Sequence, residues 1–214
     1  MNKNSVTVVD YGSGNILSIK RSLEHFGAKV EITESAKRIL QSERLILPGV
    51  GAFPSAMRAI KSIGIYDSLK EYATLGRPML AICLGMQLLM ESSSEFVETE
   101  GLGIIEGTVD KIPDCFELEQ VKVPHIGWNV IEKNDKSDCW NNSPLRGVPN
   151  GAEMYFVHSY VVHPKKLQNK LAISFTNGFE ICAAISKEFI TGVQFHPEKS
   201  GSLGLKIIEN FLKD

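Results

Sequence analysis

Cys83 closes the apolar run Pro78-Met-Leu-Ala-Ile-Cys83, and from Gly85 a helical pattern opens toward Met90. Strand, sharp turn and helix in that order make a nucleophile elbow. Such a turn lifts the sulfur above the sheet edge and sets it at a helix N-terminus, where partial positive charge favours a thiolate. It also aims the backbone N–H of Leu84 at the place where an oxyanion would form. A buried core cysteine is the other reading of the same residues. A thiol nucleophile needs a base, and the base needs an acid to orient it. Gly192-Val-Gln-Phe-His-Pro-Glu198 offers both at the end of another apolar strand. His196 can take the thiol proton and later give it to a leaving amine. Glu198 can hold the imidazole tautomer and balance its charge. Alone, such a pair reads as a surface turn; beside an elbow cysteine it reads as chemistry. After Leu45-Ile-Leu-Pro48, the loop Gly49-Val-Gly51 supplies two glycines that can turn an N–H toward an oxyanion. An ordinary strand-to-helix turn would look the same.

These residues need a frame that brings strand ends together. Ser5 to Val9 reads as a strand, followed by the loop Tyr11-Gly-Ser-Gly-Asn15 and a helix from Leu17 to Phe26 that Gly27 ends. Lys29 to Thr33 alternates as a strand. A short helix over Ser35 to Ser42, a buried strand at Leu45 to Leu47, and helices over Pro54 to Ile63 and Tyr66 to Leu75 follow. Met79 to Ile82 is the strand that carries Cys83. Alternation of this kind implies a parallel sheet with helices on both faces, and ligands at the carboxyl ends of its strands. The loops after Val9, Leu47 and Ile82 should therefore share one rim. From about Gly101 short strands dominate: Gly103–Ile112, Val121–Pro124, Trp128–Glu132, Glu153–Val162, Lys170–Phe175, Glu180–Ile185 and Ile190–Gln194, before an amphipathic helix over Leu203–Leu212. The pattern is α/β, one domain over residues 1–214, with an antiparallel-rich second half.

The 214 residues are 43% hydrophobic and 22% charged with a net charge of −2, which excludes a broad nucleic-acid or anionic-membrane surface. Met1 to Val9 lacks a long apolar core and reads as a first strand rather than a signal peptide. No run reaches the roughly 18 apolar residues of a transmembrane helix. Cys83, Cys115, Cys139 and Cys182 are widely spaced, without a CxxC pair, which fits a reducing cytoplasm. His158 and His163 have finger-like spacing, but no cysteine pair accompanies them, so no metal is expected.

Together these motifs resemble the class I, triad-type glutamine amidotransferases. More narrowly they resemble the glutaminase subunits of imidazole glycerol phosphate synthases. The resemblance covers nearly the whole chain. It rests on Asp10-Tyr-Gly-Ser-Gly-Asn15, Leu47-Pro-Gly-Val-Gly-Ala-Phe53, Ile82-Cys-Leu-Gly-Met-Gln87, Pro124-His-Ile-Gly-Trp-Asn129, Tyr155-Phe-Val-His-Ser-Tyr160 and Gln194-Phe-His-Pro-Glu-Lys-Ser200. It implies a three-layer, flavodoxin-like fold with a mostly parallel central sheet. It implies that Cys83 attacks the side-chain amide of L-glutamine, His196 shuttles protons and Glu198 orients it, with no cofactor. Gln87, His158, Ser159 and Tyr160 would line the glutamine pocket. Gly51, with Leu84, would form the oxyanion hole after a peptide of the loop reorients. The implied partner is a (β/α)₈-barrel cyclase subunit that receives ammonia, with Asn15, Trp128 and Lys199 at the junction.

The chain departs from that pattern in two places. The elbow carries Ala81 where the family usually has glycine, and alanine is still small. Thr176-Asn-Gly-Phe-Glu-Ile-Cys182 lacks the usual aromatic-glycine pair, and Cys182 reads as a core strand residue; Cys115 and Cys139 receive no role. A paralogous glutaminase subunit, supplying ammonia for the amidation of a surface sugar, would carry the same catalytic motifs. A cysteine hydrolase of related fold is a further alternative, as is a non-catalytic subunit. Gln87 and the Tyr155 to Tyr160 run argue against the first, and the intact triad against the second.

Overall fold

The all-apolar segments Leu45-Ile-Leu47 and Met79-Leu-Ala-Ile82 have no polar side to show to water, so they must be covered on both faces. A computed structural model describes residues 5–12, 14–134 and 139–214, with Cys139 described by its backbone alone. In it these segments are central strands of a nine-stranded sheet. The first half runs β1 (Ser5–Val9), α1 (Ile16–His25), β2 (Lys29–Thr33), α2 (Ala36–Gln41), β3 (Leu45–Leu47), α3 (Phe53–Ser62), α4 (Tyr66–Tyr72), β4 (Met79–Ile82) and α5 (Leu84–Leu88). The second half runs β5 (Ser92–Ser93), β6 (Thr99–Glu100), β7 (Gly107–Lys111), β8 (Cys115–Phe116), β9 (Glu119–Gln120), β10 (His125–Lys133), β11 (Ala152–His158), β12 (Tyr160–Pro164), β13 (Lys170–Thr176), β14 (Phe179–Lys187), β15 (Ile190–Val193) and α6 (Gly201–Lys213). Single 3₁₀ turns lie at Cys139–Asn142, Leu167–Asn169 and Pro197–Lys199.

The large sheet has the order β11-β10-β13-β14-β15-β4-β3-β1-β2. From β2 through β15 the neighbours are parallel; from β15 to β11 they are antiparallel. The carboxyl ends of β1, β3, β4 and β15 therefore share one rim, as the loops after Val9, Leu47 and Ile82 were expected to do. Alternate residues of β4 serve two cores. Met79 and Ala81 pack with Phe53, Met57, Leu69 and Tyr72 from α3 and α4. Leu80 and Ile82 pack with Ile19 and Leu23 of α1 and Ile207 and Phe211 of α6. A second sheet, β12-β7-β5-β6, flanks the first, and β8 and β9 form a separate hairpin.

Three expected strands differ. Glu153–Val162 is two strands, broken at Ser159, because β11 pairs with β10 in the large sheet whereas β12 pairs with β7 in the small one. Of Gly103–Ile112 only Gly107–Lys111 is a strand; the N–H groups of Gly103, Ile104 and Ile105 turn back to the carbonyls of Met90 and Leu89 instead. Val121–Pro124 forms no strand, and Pro124 has no N–H to give a ladder. The helix read over Tyr66–Leu75 ends at Tyr72. Cys182 lies buried in β14, as expected. Among the described residues no helix is long and apolar enough to cross a membrane.

Gly85 is where the two halves of the rim touch most closely. A Cβ there would lie 2.0 Å from the Leu47 carbonyl oxygen, a backbone atom that cannot swing away. Gly85→Ala should therefore lower unfolding free energy by at least about 2 kcal/mol. Urea unfolding of the full chain measures it; a midpoint equal to that of the parent would refute the close approach.

Candidate active site

The elbow forms because β4 ends in a residue that cannot continue either as strand or as helix. Cys83 has φ 54° and ψ −113°, a conformation that costs a non-glycine residue energy and must be imposed by its surroundings. Those surroundings are two hydrogen-bond sets. Its N–H donates to the Val193 carbonyl of the adjacent parallel strand at 2.7 Å, and its carbonyl accepts from Met86 and Gln87. Leu84 then occupies the first position of α5, where its N–H has no helical partner. The glycine loop passes directly above: a Cβ on Gly49 would lie 2.8 Å from the Gly85 nitrogen and 2.6 Å from the Tyr11 hydroxyl. That hydroxyl donates to the Pro48 carbonyl at 2.8 Å and so fixes the root of the loop. Gly51, at φ 98°, occupies backbone space that favours glycine.

His196 follows β15 and is 1% exposed. Its backbone N–H donates to Tyr155 of β11, and its carbonyl accepts from the Ser200 hydroxyl. The imidazole Nδ1 lies 2.8 Å from Glu198 Oε1. The other nitrogen, Nε2, is buried without a hydrogen-bond partner among the described residues. Burial alone would push the imidazole down, but the Cys83 sulfur and the Glu198 carboxylate beside it outweigh burial and raise its pKa to about 9. Asn15 was expected at a subunit junction. Its side chain turns inward, and its Nδ2 donates to Glu198 Oε1 at 2.5 Å. The left-handed conformation of Asn15, φ 72°, permits that turn.

Cys83, Leu84, Gly51 and His196 line one cavity of about 330 Å³ together with Gln87, His158, Ser159, Tyr160, Val50, Val157, Pro124 and Glu95. Ligand pockets span roughly 300–1,000 Å³, so this one fits a small molecule. All four residues expected to line a glutamine pocket are present. Ser159 reaches the cavity because the chain changes sheets there. His158 is neutral: burial pushes its pKa down to about 3. Its Nδ1–H donates to the Tyr160 carbonyl at 2.9 Å, which leaves Nε2 to accept from His125 Nδ1 at 3.1 Å. His125 Nε2 in turn accepts from Asn129. Burial lowers the pKa of His125 as well.

Two groups, one lining the cavity and one buried behind it, carry chemistry that the sequence did not single out. Glu95 is 8% exposed and is the one carboxylate among the residues that line the cavity. Its Oε2 accepts from the Phe53 N–H at 2.6 Å, and burial raises its pKa. In Ser92-Ser-Ser-Glu95 it looks like a solvated charge, so no sequence signal marks it. Gln194 is fully buried beside Cys83, and only its place in the His196 motif hinted at it. Trp128 is 55% exposed, edge-on to Tyr155 at 6.1 Å, and the Lys199 ammonium stands 5.9 Å over the same ring. They form an open aromatic and basic surface. The Cys182 thiol is pushed up to about 12 by burial, so it is inert at neutral pH. Among the described residues no three histidine, cysteine or acidic side chains are grouped to hold a metal. His163 is exposed on β12, whereas His158 is buried at the end of β11.

A thiol, an imidazole and a carboxylate in that relation can carry acyl transfer through a thioester. Comparison with known proteins points the same way. The chain is 40% identical over 210 residues to imidazole glycerol phosphate synthase subunit HisH 1 of Legionella pneumophila (strain Lens), covering 98% of this chain and 99% of that one. It is 43% identical over 206 residues to the HisH subunit of Caldanaerobacter subterraneus subsp. tengcongensis, covering 96% of each. The fold is similar to that of PurLQS from Thermotoga maritima (TM-score 0.72, 17% identity, 98% of this chain and 97% of that one). It is also similar to that of the glutaminase domain of Trypanosoma brucei CTPS (TM-score 0.62, 17% identity, 98% and 94%). The family model for glutamine amidotransferase class-I matches residues 7–214, and the chain belongs to that family.

Proposed function

We propose that this chain is the glutaminase subunit of an imidazole glycerol phosphate synthase. As one amidotransferase domain in the cytoplasm, it hydrolyses L-glutamine and passes ammonia to a (β/α)₈-barrel cyclase subunit in histidine biosynthesis. The observation that carries the reading is the meeting of Cys83 and His196 at one small cavity, with Glu198 buried behind His196. The naming of its full-length relatives favours the synthase over a sugar-amidating paralogue.

The chemistry follows from the geometry. His196 Nε2 takes the Cys83 proton, and the sulfur attacks the side-chain carbonyl carbon of glutamine. The oxyanion faces the Leu84 N–H and the Gly51 loop. Collapse breaks the C–N bond; the imidazolium protonates the leaving nitrogen, ammonia departs and a thioester remains. The same imidazole then deprotonates water, whose attack releases glutamate and restores the thiol. Glu198 accepts the Nδ1–H throughout, and Asn15 holds that carboxylate in place. Gln87, His158, Ser159 and Tyr160 shape the pocket, and Glu95 can receive the α-ammonium of the substrate.

Cys83→Ser should lower glutamine hydrolysis by roughly 10³-fold or more while ammonia-dependent synthesis by the complex continues. Retained glutaminase activity would sink the assignment. The exposure of Trp128 and Lys199 on one surface supports a junction with the cyclase there. Lys199→Ala should leave the urea midpoint of the chain unchanged and weaken the stimulation of glutaminase activity by a ligand-bound cyclase. An unaltered response would count against a junction there.

The buried neutral pair sets a pH dependence. The folded pKa of His158, about 3, lies below its ordinary 6.5, and that of His125 is lowered too. The folded chain thus binds fewer protons than the unfolded one, so the contribution is full above about pH 6.5 and is lost as pH falls toward 3. His158 should cost up to about 1.4 kcal/mol per pH unit in that range, and His125 acts in the same direction. Imidazole resonances followed from pH 7 down to about pH 4 check this. A His158 resonance that titrates near 6 would contradict a neutral buried ring.

A further inference from the structure

Beside the triad lies a chain of carboxamides that the mechanism above leaves unused. It begins at a backbone carbonyl, that of Tyr160, which can only accept. Gln87 Nε2 lies 3.2 Å from it and must be the donor. The same Nε2 lies 3.0 Å from a side-chain atom of Gln194, which must therefore be the acceptor Oε1. That leaves Gln194 Nε2 directed at the Cys83 sulfur, 3.7 Å away. Either amide turned over would set donor against donor or acceptor against acceptor, so the carbonyl at one end fixes the N–H at the other.

We propose that Gln194 is a catalytic residue whose carboxamide N–H stabilises the Cys83 thiolate, and that Gln87 and Tyr160 hold it in that orientation. The proposal rests on the reading of Cys83 as the nucleophile. Three observations carry it. Gln194 is fully buried, and burying a carboxamide without partners is costly, so its contacts are not incidental. Its backbone is tied to β14, with the N–H donating to the Ala183 carbonyl at 2.9 Å. Among the described residues the sulfur's other hydrogen-bond partner is the Val157 carbonyl at 3.9 Å, which offers an anion only repulsion. Gln194 thus supplies a neutral donor that does not depend on the protonation state of His196, and it is in place both when the sulfur attacks and when the sulfur leaves as water opens the thioester. It also explains why Gln87 can meet a ligand only through its oxygen, since both its N–H groups are spent.

The test reads Cys83 itself rather than turnover. Alkylation by iodoacetamide, followed on the Cys83 peptide by mass spectrometry across pH, gives the midpoint of thiolate formation in the full chain. Gln194→Met, of similar volume but without a donor, should raise that midpoint by about one unit, a roughly tenfold slower reaction below it. Gln194→Glu, which sets a carboxylate beside the sulfur, should raise it further. A folded Gln194→Met with the parent midpoint would overturn the proposal. If neither variant folds, the side-chain amide resonances of Gln194 in ¹⁵N-labelled parent protein decide. They should move with the alkylation midpoint, and signals that stay fixed through it would overturn the proposal. Failure of the nucleophile reading would show separately, as glutamine hydrolysis retained by Cys83→Ser.

Discussion

The parallel pairing of β4 with β15 is the constraint on which the site depends. It sets Ile82 opposite Val193 and gives the Cys83 N–H its partner in the Val193 carbonyl. One hydrogen bond thereby fixes both the strained elbow and the distance from nucleophile to base. Slipping the pairing by two residues would keep every side chain on its own face, yet it would carry His196 roughly 6.6 Å along the strand. Apolar burial alone would tolerate that slip. The close packing of Gly85 against the Leu47 carbonyl does not, because it locks β3 and β4 to the turn from the other side.

Around that pairing the polar side chains are buried, and burial makes each polar contact consequential. In low dielectric an unpaired donor or charge costs far more than at the surface, and two chains of hydrogen bonds satisfy most of the buried groups. Tyr160, Gln87 and Gln194 form one, ending on the sulfur. His158, His125 and Asn129 form another, ending on the Phe175 carbonyl. Both start from the Tyr160 carbonyl, at the point where the chain leaves one sheet for the other. The change of sheet at Ser159 is thus an anchor for two networks. Keeping His158 and His125 neutral also matters for His196, since a second positive charge nearby would work against its protonation.

The parallel half of this design was legible in the sequence because its punctuation is local. Pro48, Gly49, Gly51 and Gly85 mark strand ends, and strands buried on both faces read as unbroken apolar runs. The elbow, the base and the acid could be read from spacing, whereas Gln87, His158, Ser159 and Tyr160 came only from the family resemblance; all four line the cavity. The second half was less legible. Glu153 to Val162 alternates without interruption, and nothing in a period of two tells which partner strand each stretch will choose. Glu95 was invisible because it sits in a polar run, and its burial comes from α3 lying over it through the Phe53 N–H. Gln194 was visible only as a neighbour of His196. Its aim at the sulfur depends on Gln87 and Tyr160, which are distant in sequence. The bond from Asn15 to Glu198 was not legible, because the left-handed backbone that sends the Asn15 side chain inward has no signature beyond the glycines around it.

Asn15 also shows how the site meets its exterior. Glu198 Oε1 takes hydrogen bonds from both His196 and Asn15, while Oε2 is buried without a partner among the described residues. The carboxylate is therefore held at one oxygen by a single side chain of the loop between β1 and α1. That loop is open to solvent at Gly12 and Gly14, and the first turn of α1 exposes Leu17. A group docking on this face needs to move only a few atoms to reach the acid that orients the base. The elbow, by contrast, is pinned from two strands and a helix. From this face the contact through Asn15 thus leads to Glu198 and His196 rather than to Cys83.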